Sequence, residues 1–340
     1  MQQKRPGPGQ WLRTYWLELL LVLVLLGALG WVFSTARALL PERAAEPTPE
    51  VAVVDETAEA TQAPEPTQET APQVFDGGRA QGFVAAQIAL GPRPAGSPAS
   101  GATADLIVQE LTRLGWQVEE QPFDAGGVTL RNVVAKTGSG DVLVVGTHYD
   151  TSPAADQDAD PANVTQPPLG ADDGASGVAV LLELARSLNQ EALDSQVWLA
   201  FLDGQYQQAA DGSIDTVSAG AMALADSLTA RPQAVILIDR VGDADQKLYY
   251  DSNSDPALSN RLWSVADQLG YVRWFVPEVR YTVDNGVLAF QALGAPAANI
   301  VNAEYPYYRT LQDTADKISR DSLERVGRVL EVYLEDGAAP

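Results

Sequence analysis

The sequence of 340 residues has no cysteine, a single histidine and few basic residues. Because cysteine is missing, a disulfide framework, a thiolate zinc site and a cysteine nucleophile are all excluded. The one histidine, His148, restricts any metal site, because catalytic zinc sites commonly use two or three imidazoles. Only 22 residues are Lys or Arg against 45 Asp and Glu, and the formal net charge is -23. This balance argues against a nucleic-acid partner, which a basic surface would have to contact.

Residues 15–36 form an apolar run in which Glu18 is the only charged residue. The run matches the roughly 20 residues that a helix needs to cross a bilayer. Basic residues lie in the short segment 1–14 before it, and such a flank stays in the cytoplasm. A cleaved signal peptide is the alternative, but this apolar core is longer than signal peptides usually have. We therefore predict a cytoplasmic tail over 1–14 and a single-pass anchor over 15–36 in the cell membrane, with the main domain extracytoplasmic.

Residues 37–74 are rich in Pro, Glu, Thr and Ala and show no apolar periodicity. Such a segment buries too little apolar surface to offset the entropy that ordering would cost. We predict a disordered linker here, followed by one folded domain over 75–340.

Short apolar runs alternate with helical patterns throughout the predicted domain. The predicted strands lie at 142–150, 196–204, 233–242 and 296–303, and the predicted helices at 103–116, 177–188, 256–270 and 319–336. Alternating strands and helices indicate an α/β fold with a largely parallel sheet. In such a sheet a functional site lies at the carboxyl ends of the strands.

Polar residues recur at those strand ends. They are His148 and Asp150 after the first strand, Asp172 and Asp173 before a buried helix, Asp203, Gln205 and Tyr206 after the second strand, and Asp239 at the end of the third. Each one alone has an ordinary explanation, since an Asp pair often caps a helix and a lone His is often only hydrogen-bonded. A charge within an apolar strand, as at Asp239, needs a partner or an ion. Their recurrence at one edge favours a site.

The chain carries the segments "THYDT", "GADDGASG", "FLDGQY", "LIDRVGD" and "YPYYRTLQDTADKIS" in this order. This arrangement resembles the M28 family of zinc aminopeptidases and the related glutaminyl cyclases. The resemblance covers the whole predicted domain. It implies a three-layer, aminopeptidase-type α/β domain with a mixed, largely parallel sheet.

The resemblance also assigns roles to four residues of the strand ends. It implies that His148 and Asp239 are metal ligands, that Asp172 is the bridging carboxylate, and that Asp150 orients His148. These four positions keep the residue types of the family.

Three further positions depart from the family's pattern. Gln205 stands at the position of the general-base Glu, Tyr206 at that of an acidic ligand, and Arg309 at that of the last His. An amide cannot accept a proton at neutral pH, a protonated tyrosine is a poor ligand, and an arginine cannot ligate. We expect Arg309 to lie beside the carboxylates of Asp172 and Asp239, take over the charge of the metal, and leave the site without zinc or another cofactor.

These departures predict a catalytically inactive pseudopeptidase that retains a pocket for a peptide or protein ligand. The alternative is an active metal-dependent aminopeptidase or glutaminyl cyclase with a non-standard zinc site formed by His148, Asp172 and Asp239. A purely structural domain without a ligand is a third possibility.

One acidic loop resembles the start of a calcium site, since Asp156, Asp158 and Asp160 have the spacing of the first EF-hand ligands. Pro161 and Pro167 stand where that motif requires Gly and Glu. We therefore expect a solvated acidic loop near the mouth of the pocket.

Overall fold

The computed structural model describes residues 73–336. The predicted tail and anchor, and all but the end of the predicted linker, lie outside the described residues. Between residues 73 and 336, every helix is too short or too polar to cross a membrane.

The described residues form an alternating series of strands and helices. The helices are α1 (Gly77–Ile88), α2 (Pro98–Arg113), α3 (Ala175–Ser187), α4 (Ala219–Ser227), α5 (Pro256–Gln268), α6 (Val287–Gln291) and α7 (Arg320–Glu335), with short 3-10 helices at Gln190–Ala192 and Ala315–Lys317. The strands are β1 (Gln117–Ala125), β2 (Val128–Thr137), β3 (Val142–His148), β4 (Gln196–Leu202), β5 (Tyr206–Gln208), β6 (Ile214–Thr216), β7 (Ala234–Asp239), β8 (Leu248–Asp251), β9 (Phe275–Tyr281) and β10 (Ala297–Val301).

Six strands form the central sheet in the order β1-β2-β4-β3-β7-β10. Strands β4, β3, β7 and β10 are parallel, and the β1–β2 hairpin joins them antiparallel at one edge. His148 pairs with Leu202, and Asp239 pairs with Val301, so these four strands end at the same edge. The sheet is therefore mixed and largely parallel, as predicted.

Helices cover both faces of the sheet. Because side chains alternate along a strand, Val145 and Ile236 pack into a large core with α1, α2, α3, α5 and α7. Val144 and Val235 point to the other face and pack against α4 and α6. The three-layer α/β fold class is confirmed by this arrangement.

Several helices begin at residues whose side chains bind the first free amides. Asp76 accepts hydrogen bonds from Gly78 and Arg79, and Ser97 and Asp255 cap the two helices that start with proline. Helix α3 differs, because it begins after Gly174, which has a φ of 106° and no side-chain cap. The Asp pair before α3 is therefore not used for capping this helix.

Candidate functional site

The carboxyl ends of β3 and β7 bring three titratable side chains together. The His148 Nε2 atom lies 3.3 Å from Asp239 Oδ1 and 3.3 Å from Asp173 Oδ1. One donor atom from each of these residues lies within 4.8 Å of the others, and all three residues are buried. We call His148, Asp173 and Asp239 the central cluster.

Asp150 fixes the orientation of His148 and of the turn after β4. Its backbone carbonyl accepts a hydrogen bond from His148 Nδ1 at 3.0 Å. Its carboxylate accepts the amides of Gln205 and Tyr206 at 3.0 and 3.3 Å. The hydrogen bond with His148 is thus made by the backbone of Asp150, while its carboxylate holds the turn after β4.

The His148 imidazole is surrounded by acceptors. Burial lowers its pKa, but the hydrogen bonds with Asp150, Asp173 and Asp239 outweigh burial and hold the pKa well above the ordinary value. His148 Nδ1 donates to a carbonyl, so it carries a proton. When Nε2 is also protonated, the ring is a cation and can donate to the carboxylates of Asp173 and Asp239.

Asp172 points away from the central cluster. Its Oδ1 accepts the amide of Gly242 at 2.6 Å, and its own amide donates to Asp313 Oδ1 at 2.8 Å. Burial and the charge of Asp313 raise the pKa of Asp172 well above its usual range. The structure places Asp173, one residue later, in the position that we predicted for Asp172, because the turn between 171 and 174 directs consecutive side chains to opposite sides.

A buried arginine that the sequence analysis did not consider lies against the central cluster. The Arg240 Nη1 atom is 3.1 Å from Asp239 Oδ2 and 4.0 Å from Asp173 Oδ1. Its Nε donates to the carbonyl of Asn302 at 3.3 Å, and its guanidinium lies 4.4 Å from the ring centroid of Tyr308. Burial raises the pKa of Asp239, but the charge of Arg240 and the contact with His148 outweigh burial, and the net result is a lowered pKa.

Tyr206 contributes a hydrogen-bond donor to the central cluster. Its hydroxyl lies 2.7 and 2.8 Å from the two carboxylate oxygens of Asp173. Burial and the negative charge of Asp173 raise the pKa of Tyr206 well above its ordinary value, so the phenol keeps its proton. The residue therefore acts as a donor to the carboxylate.

Arg309 does not reach the carboxylates of Asp172 and Asp239, and our expectation that it would is wrong. Its Nε donates to Asp156 Oδ1 at 2.6 Å, and its Nη2 contacts Asp156 Oδ2. The Nη2 also donates to the carbonyl of Ile214 at 3.3 Å. Asp156 offers a bidentate partner on the loop above, whereas the space beside Asp239 already holds Arg240.

The acidic loop is fastened to the segment around Arg309 rather than arranged around an ion. Asp158 accepts the amides of Leu311 at 2.9 Å and Asp160 at 3.0 Å. With Asp156 bound by Arg309, the carboxylates of this loop already have protein donors. The acidic loop is exposed at Asp160, as expected of a solvated loop, and its contacts also make it a clamp between two segments of the chain.

Little space remains inside the centre. Gln205 accepts a hydrogen bond from Ser218 Oγ at 2.9 Å and is buried. The cavity beside Gln205, His148 and Asp239 has a volume of only about 10 Å³, room for one water at most. Tyr206, Ala154, Ile214 and Tyr308 form a small apolar cluster. His148, Gln205 and Asp239 are all buried, so they present little surface to a ligand.

Three non-glycine residues around the centre have a left-handed backbone conformation. They are Ser218, Arg240 and Arg309, with φ values of 50°, 49° and 53°. Such a conformation costs of order 1 kcal/mol or more for an ordinary side chain. Each of these three residues contacts a residue of the site or of the acidic loop. Ser218 binds Gln205, Arg240 binds Asp239, and Arg309 binds Asp156.

The central cluster has donor atoms that suit a metal, but its neighbours do not fit a zinc ion. A histidine nitrogen and two carboxylates are ordinary zinc ligands. The guanidinium of Arg240, however, contacts the same two carboxylates, and the Tyr206 hydroxyl is bonded to one of them. A permanent cation cannot ligate, and it repels a dication.

A larger groove of about 840 Å³ lies next to the buried centre. It is lined by the turn of the β1–β2 hairpin, by β5 and by α4, and it meets the centre at Tyr206. A pocket is expected from the sequence, but its position cannot be read from the sequence alone.

Sequence comparison places the domain among known proteins. Residues 132–334 match the sequence profile of peptidase family M28. The uncharacterized protein YfbL of Escherichia coli (strain K12) is 32% identical over 152 residues, which are 44% of this chain and 42% of that relative. The glutaminyl-peptide cyclotransferase-like protein of Bos taurus is 25% identical over 282 residues, which are 72% of this chain and 72% of that relative.

Solved structures show the same fold. The glutaminyl cyclase of Bacteroides thetaiotaomicron bound to N-acetylhistamine has a TM-score of 0.72 and 26% identity, covering 78% of this chain and 99% of that one. A Zn-dependent exopeptidase from Parabacteroides distasonis ATCC 8503 has a TM-score of 0.72 and 25% identity, covering 78% of this chain and 100% of that one. The matched profile, the shared fold and the ordered strand-end motifs lead to one conclusion: the chain belongs to peptidase family M28 and is similar to the glutaminyl cyclases.

Proposed function

We propose that this protein is a pseudopeptidase, an M28 domain without peptidase or cyclase activity that binds a peptide in the groove beside its closed centre. The observation that carries this proposal is the position of Arg240, whose Nη1 lies 3.1 Å from Asp239 Oδ2 and 4.0 Å from Asp173 Oδ1. The two carboxylates then have the cations of Arg240 and His148 as partners, so their charge is balanced without a metal ion.

The substituted residues supply none of the missing chemistry. Hydrolysis by a zinc peptidase needs a metal that activates water and a base that takes the proton. Gln205 accepts a hydrogen bond from Ser218 through its only acceptor oxygen, and an amide is not a base. General-base catalysis contributes about 10² to 10⁴ in rate, so this substitution alone removes most activity.

Activity and metal content test the proposal directly. The full chain, purified in detergent without added metal, is assayed with aminoacyl fluorogenic peptides and with a peptide that has N-terminal glutamine. Each assay is run with and without added zinc, and bound metal is measured by elemental analysis. We expect no turnover above background and far less than one zinc per chain. Stoichiometric zinc, or turnover that a chelator abolishes, would overturn the proposal.

A second candidate is a metal-dependent aminopeptidase or glutaminyl cyclase with a non-standard site. One observation favours it: the donor atoms of His148, Asp173 and Asp239 lie within 4.8 Å of one another. In that case the three residues would hold the ion and Arg240 would move away from the two carboxylates. The zinc in such a site would activate water. The same assays distinguish the two candidates, because only this one predicts zinc-dependent turnover.

We also propose that residues 15–36 anchor the domain in the cell membrane, with segment 1–14 in the cytoplasm. The apolar length of the run and its basic flank support this orientation. Extraction of membranes with alkaline carbonate is expected to leave the chain in the pellet. Protease added outside intact cells or spheroplasts is expected to digest the domain, and full protection of the domain would contradict the proposed orientation.

A further inference from the structure

The groove beside the buried centre has a volume of about 840 Å³ and a lining made by several segments of the chain. Its volume lies in the range of about 300 to 1,000 Å³ that is typical of ligand sites. A Cβ placed on Gly126, at the tip of the hairpin, would be 3.5 Å from Gln207 Nε2, so the hairpin closes over β5 at one end. The groove can therefore hold a short segment of extended chain.

The lining is mostly apolar. Its larger apolar members are Phe123, Val128, Leu130, Val217 and Met222. Val128 and Met222 are each 47% exposed, which is unusual for large apolar side chains that lie in one concave surface. Covering them with an apolar side chain would contribute about 25 cal/mol for each Å² removed from water.

The charged residues of the lining are all acidic. Asp124 and Asp226 line the groove, and none of the described lining residues is Lys or Arg. Asp226 is exposed and lies in the last turn of α4, where the helix dipole adds negative potential. Asp124 accepts the amide of Gly127 at 3.2 Å and keeps its second oxygen available. The groove therefore complements a cation that is joined to apolar groups.

Polar amides occupy a further part of the wall. Gln207 and Gln208 line the groove from β5. The Gln207 amide offers two donors and an acceptor, whereas the Gln208 amide already donates to the carbonyl of Gly212 at 3.4 Å and offers one further donor and an acceptor. These groups suit the N–H and C=O groups of a peptide backbone better than a hydrocarbon chain.

We propose that this groove binds a peptide segment in which a lysine or arginine stands next to a large apolar residue. The basic side chain lies between Asp124 and Asp226, and the apolar side chain covers Val128 and Met222. The inference rests on the proposed function in one respect, namely that the bound peptide is not cleaved. It adds the class of ligand and the residues that select it.

Binding of defined peptides tests this proposal. The probe is the peptide Leu-Phe-Lys-Leu-Ala, acetylated at its amino end and labelled with fluorescein at its carboxyl end. Its binding to the full chain in detergent is followed by fluorescence polarisation. Matched peptides carry Glu in place of Lys, or Ser in place of Phe. Because the amino end is acetylated, binding is measured whether or not the protein proves to be an aminopeptidase.

We expect saturable binding of the Lys peptide, with a dissociation constant about tenfold lower than that of the Glu peptide. Asp226→Asn should raise the dissociation constant about threefold, which corresponds to one partly exposed charge pair. The matched control Asp267→Asn removes an exposed charge from α5, outside the groove, and should leave binding unchanged. Raising the salt concentration should weaken binding of the Lys peptide more than binding of the Glu peptide.

Filling the groove gives an independent measurement. Ala223 lies in the lining and is only half-buried, so Ala223→Trp should occupy the groove without disturbing the core. Circular dichroism checks that this variant is folded, and its binding of the Lys peptide should fall at least tenfold. Equal binding of all three peptides, binding that Ala223→Trp does not change, or no saturable binding up to millimolar peptide would overturn the inference. None of these outcomes bears on the metal content or turnover that test the proposed function.

Discussion

The guanidinium of Arg240 lies 3.1 Å from the carboxylate of Asp239, the residue directly before it in the chain. Neighbouring residues at the end of a strand normally point to opposite sides, and the φ of 49° at Arg240 is what turns its side chain back. Both residues are buried. An unpaired charge would be strongly destabilising there, and each residue supplies the opposite charge that the other needs. Under the proposed function, Arg240 supplies at Asp239 the positive charge that a metal ion would supply.

Removing this cation should destabilise the fold strongly. Arg240→Ala leaves Asp239 and Asp173 buried, with His148 as the remaining cation that contacts both carboxylates, and breaking such a pair typically costs about 3 to 5 kcal/mol. Urea denaturation followed by circular dichroism measures the loss. The control Arg320→Ala removes an exposed arginine whose partner is also exposed, and it should change stability by less than about 0.5 kcal/mol. Equal stability of Arg240→Ala and wild type would show that the pair has no structural role.

Restoring the family's residues should restore a metal site only when Arg240 is also replaced. The triple variant Gln205→Glu, Tyr206→Glu and Arg309→His supplies a base and two ligands, yet it leaves a guanidinium on Asp239. We expect the quadruple variant with Arg240→Leu to bind one zinc per chain and the triple variant to bind far less. Isothermal titration with zinc measures both.

The quadruple variant has its own control. Adding His148→Ala should abolish its zinc binding, since the imidazole is a member of the donor set. Tight stoichiometric zinc binding by the triple variant would show that Arg240 does not exclude the metal.

Arg309 and Asp156 should be energetically coupled. The side chain of Arg309 is 9% exposed and forms a bidentate contact with Asp156. Hydrogen bonds to charged groups contribute about 1.5 to 3 kcal/mol, and this pair is partly screened, so we expect a coupling energy near 1 to 2 kcal/mol. A double-mutant cycle of Arg309→Ala and Asp156→Ala in urea measures it. A coupling energy of zero would mean that the two segments are held together by other contacts.

The same clamp has a dynamic consequence. Asp156 and Asp158 tie the acidic loop to the segment that contains Arg309 and Leu311. In Arg309→Ala, hydrogen exchange of the amides between residues 155 and 166 should become faster, while exchange in α7 should not change. Faster exchange throughout the domain would indicate global destabilisation instead.

Much of the fold follows from the sequence because apolar runs mark the buried strands. The strands predicted at 142–150 and 196–204 are present as β3 and β4, and the helix predicted at 319–336 is α7. Strand β1 was not predicted, because most of its residues are exposed and its sequence, "QVEEQPFDA", has no apolar alternation. Its conformation is fixed by pairing with β2 along its whole length, which local sequence does not reveal.

Of the residues predicted for the site, the structure brings His148 and Asp239 together, and it adds Asp173 rather than Asp172 to them. Which residue of the Asp172–Asp173 pair faces His148 depends on Asp313, which binds both backbone amides from about 140 positions away in sequence. Arg240 was overlooked although an arginine within "LIDRVG" needs a buried partner. The local pattern could have drawn attention to it, but its partner in space could not be read from sequence.

Asp203, at the end of β4, should make the stability of the domain depend on pH. Burial and the charge of Asp150 raise the pKa of Asp203 to about 7, whereas an aspartate in the unfolded chain titrates near 3.9. Between these values the folded state keeps the proton and the unfolded state has lost it, so the free energy of unfolding falls as pH rises. The contribution is largest below about pH 4 and is lost as pH approaches 7.

Asp203→Asn should remove this dependence, because asparagine stays neutral and its oxygen can still accept from Ser100 and Gly204. From pH 5 to pH 7 the variant should gain about 2 kcal/mol in stability relative to wild type, which follows from roughly 1.4 kcal/mol for each pH unit within the window. Urea denaturation at several pH values measures the difference, with Asp194→Asn, an exposed position, as the matched control. If wild type and Asp203→Asn keep a constant difference in stability across this range, Asp203 is ionised in the folded domain and the buried proton does not exist.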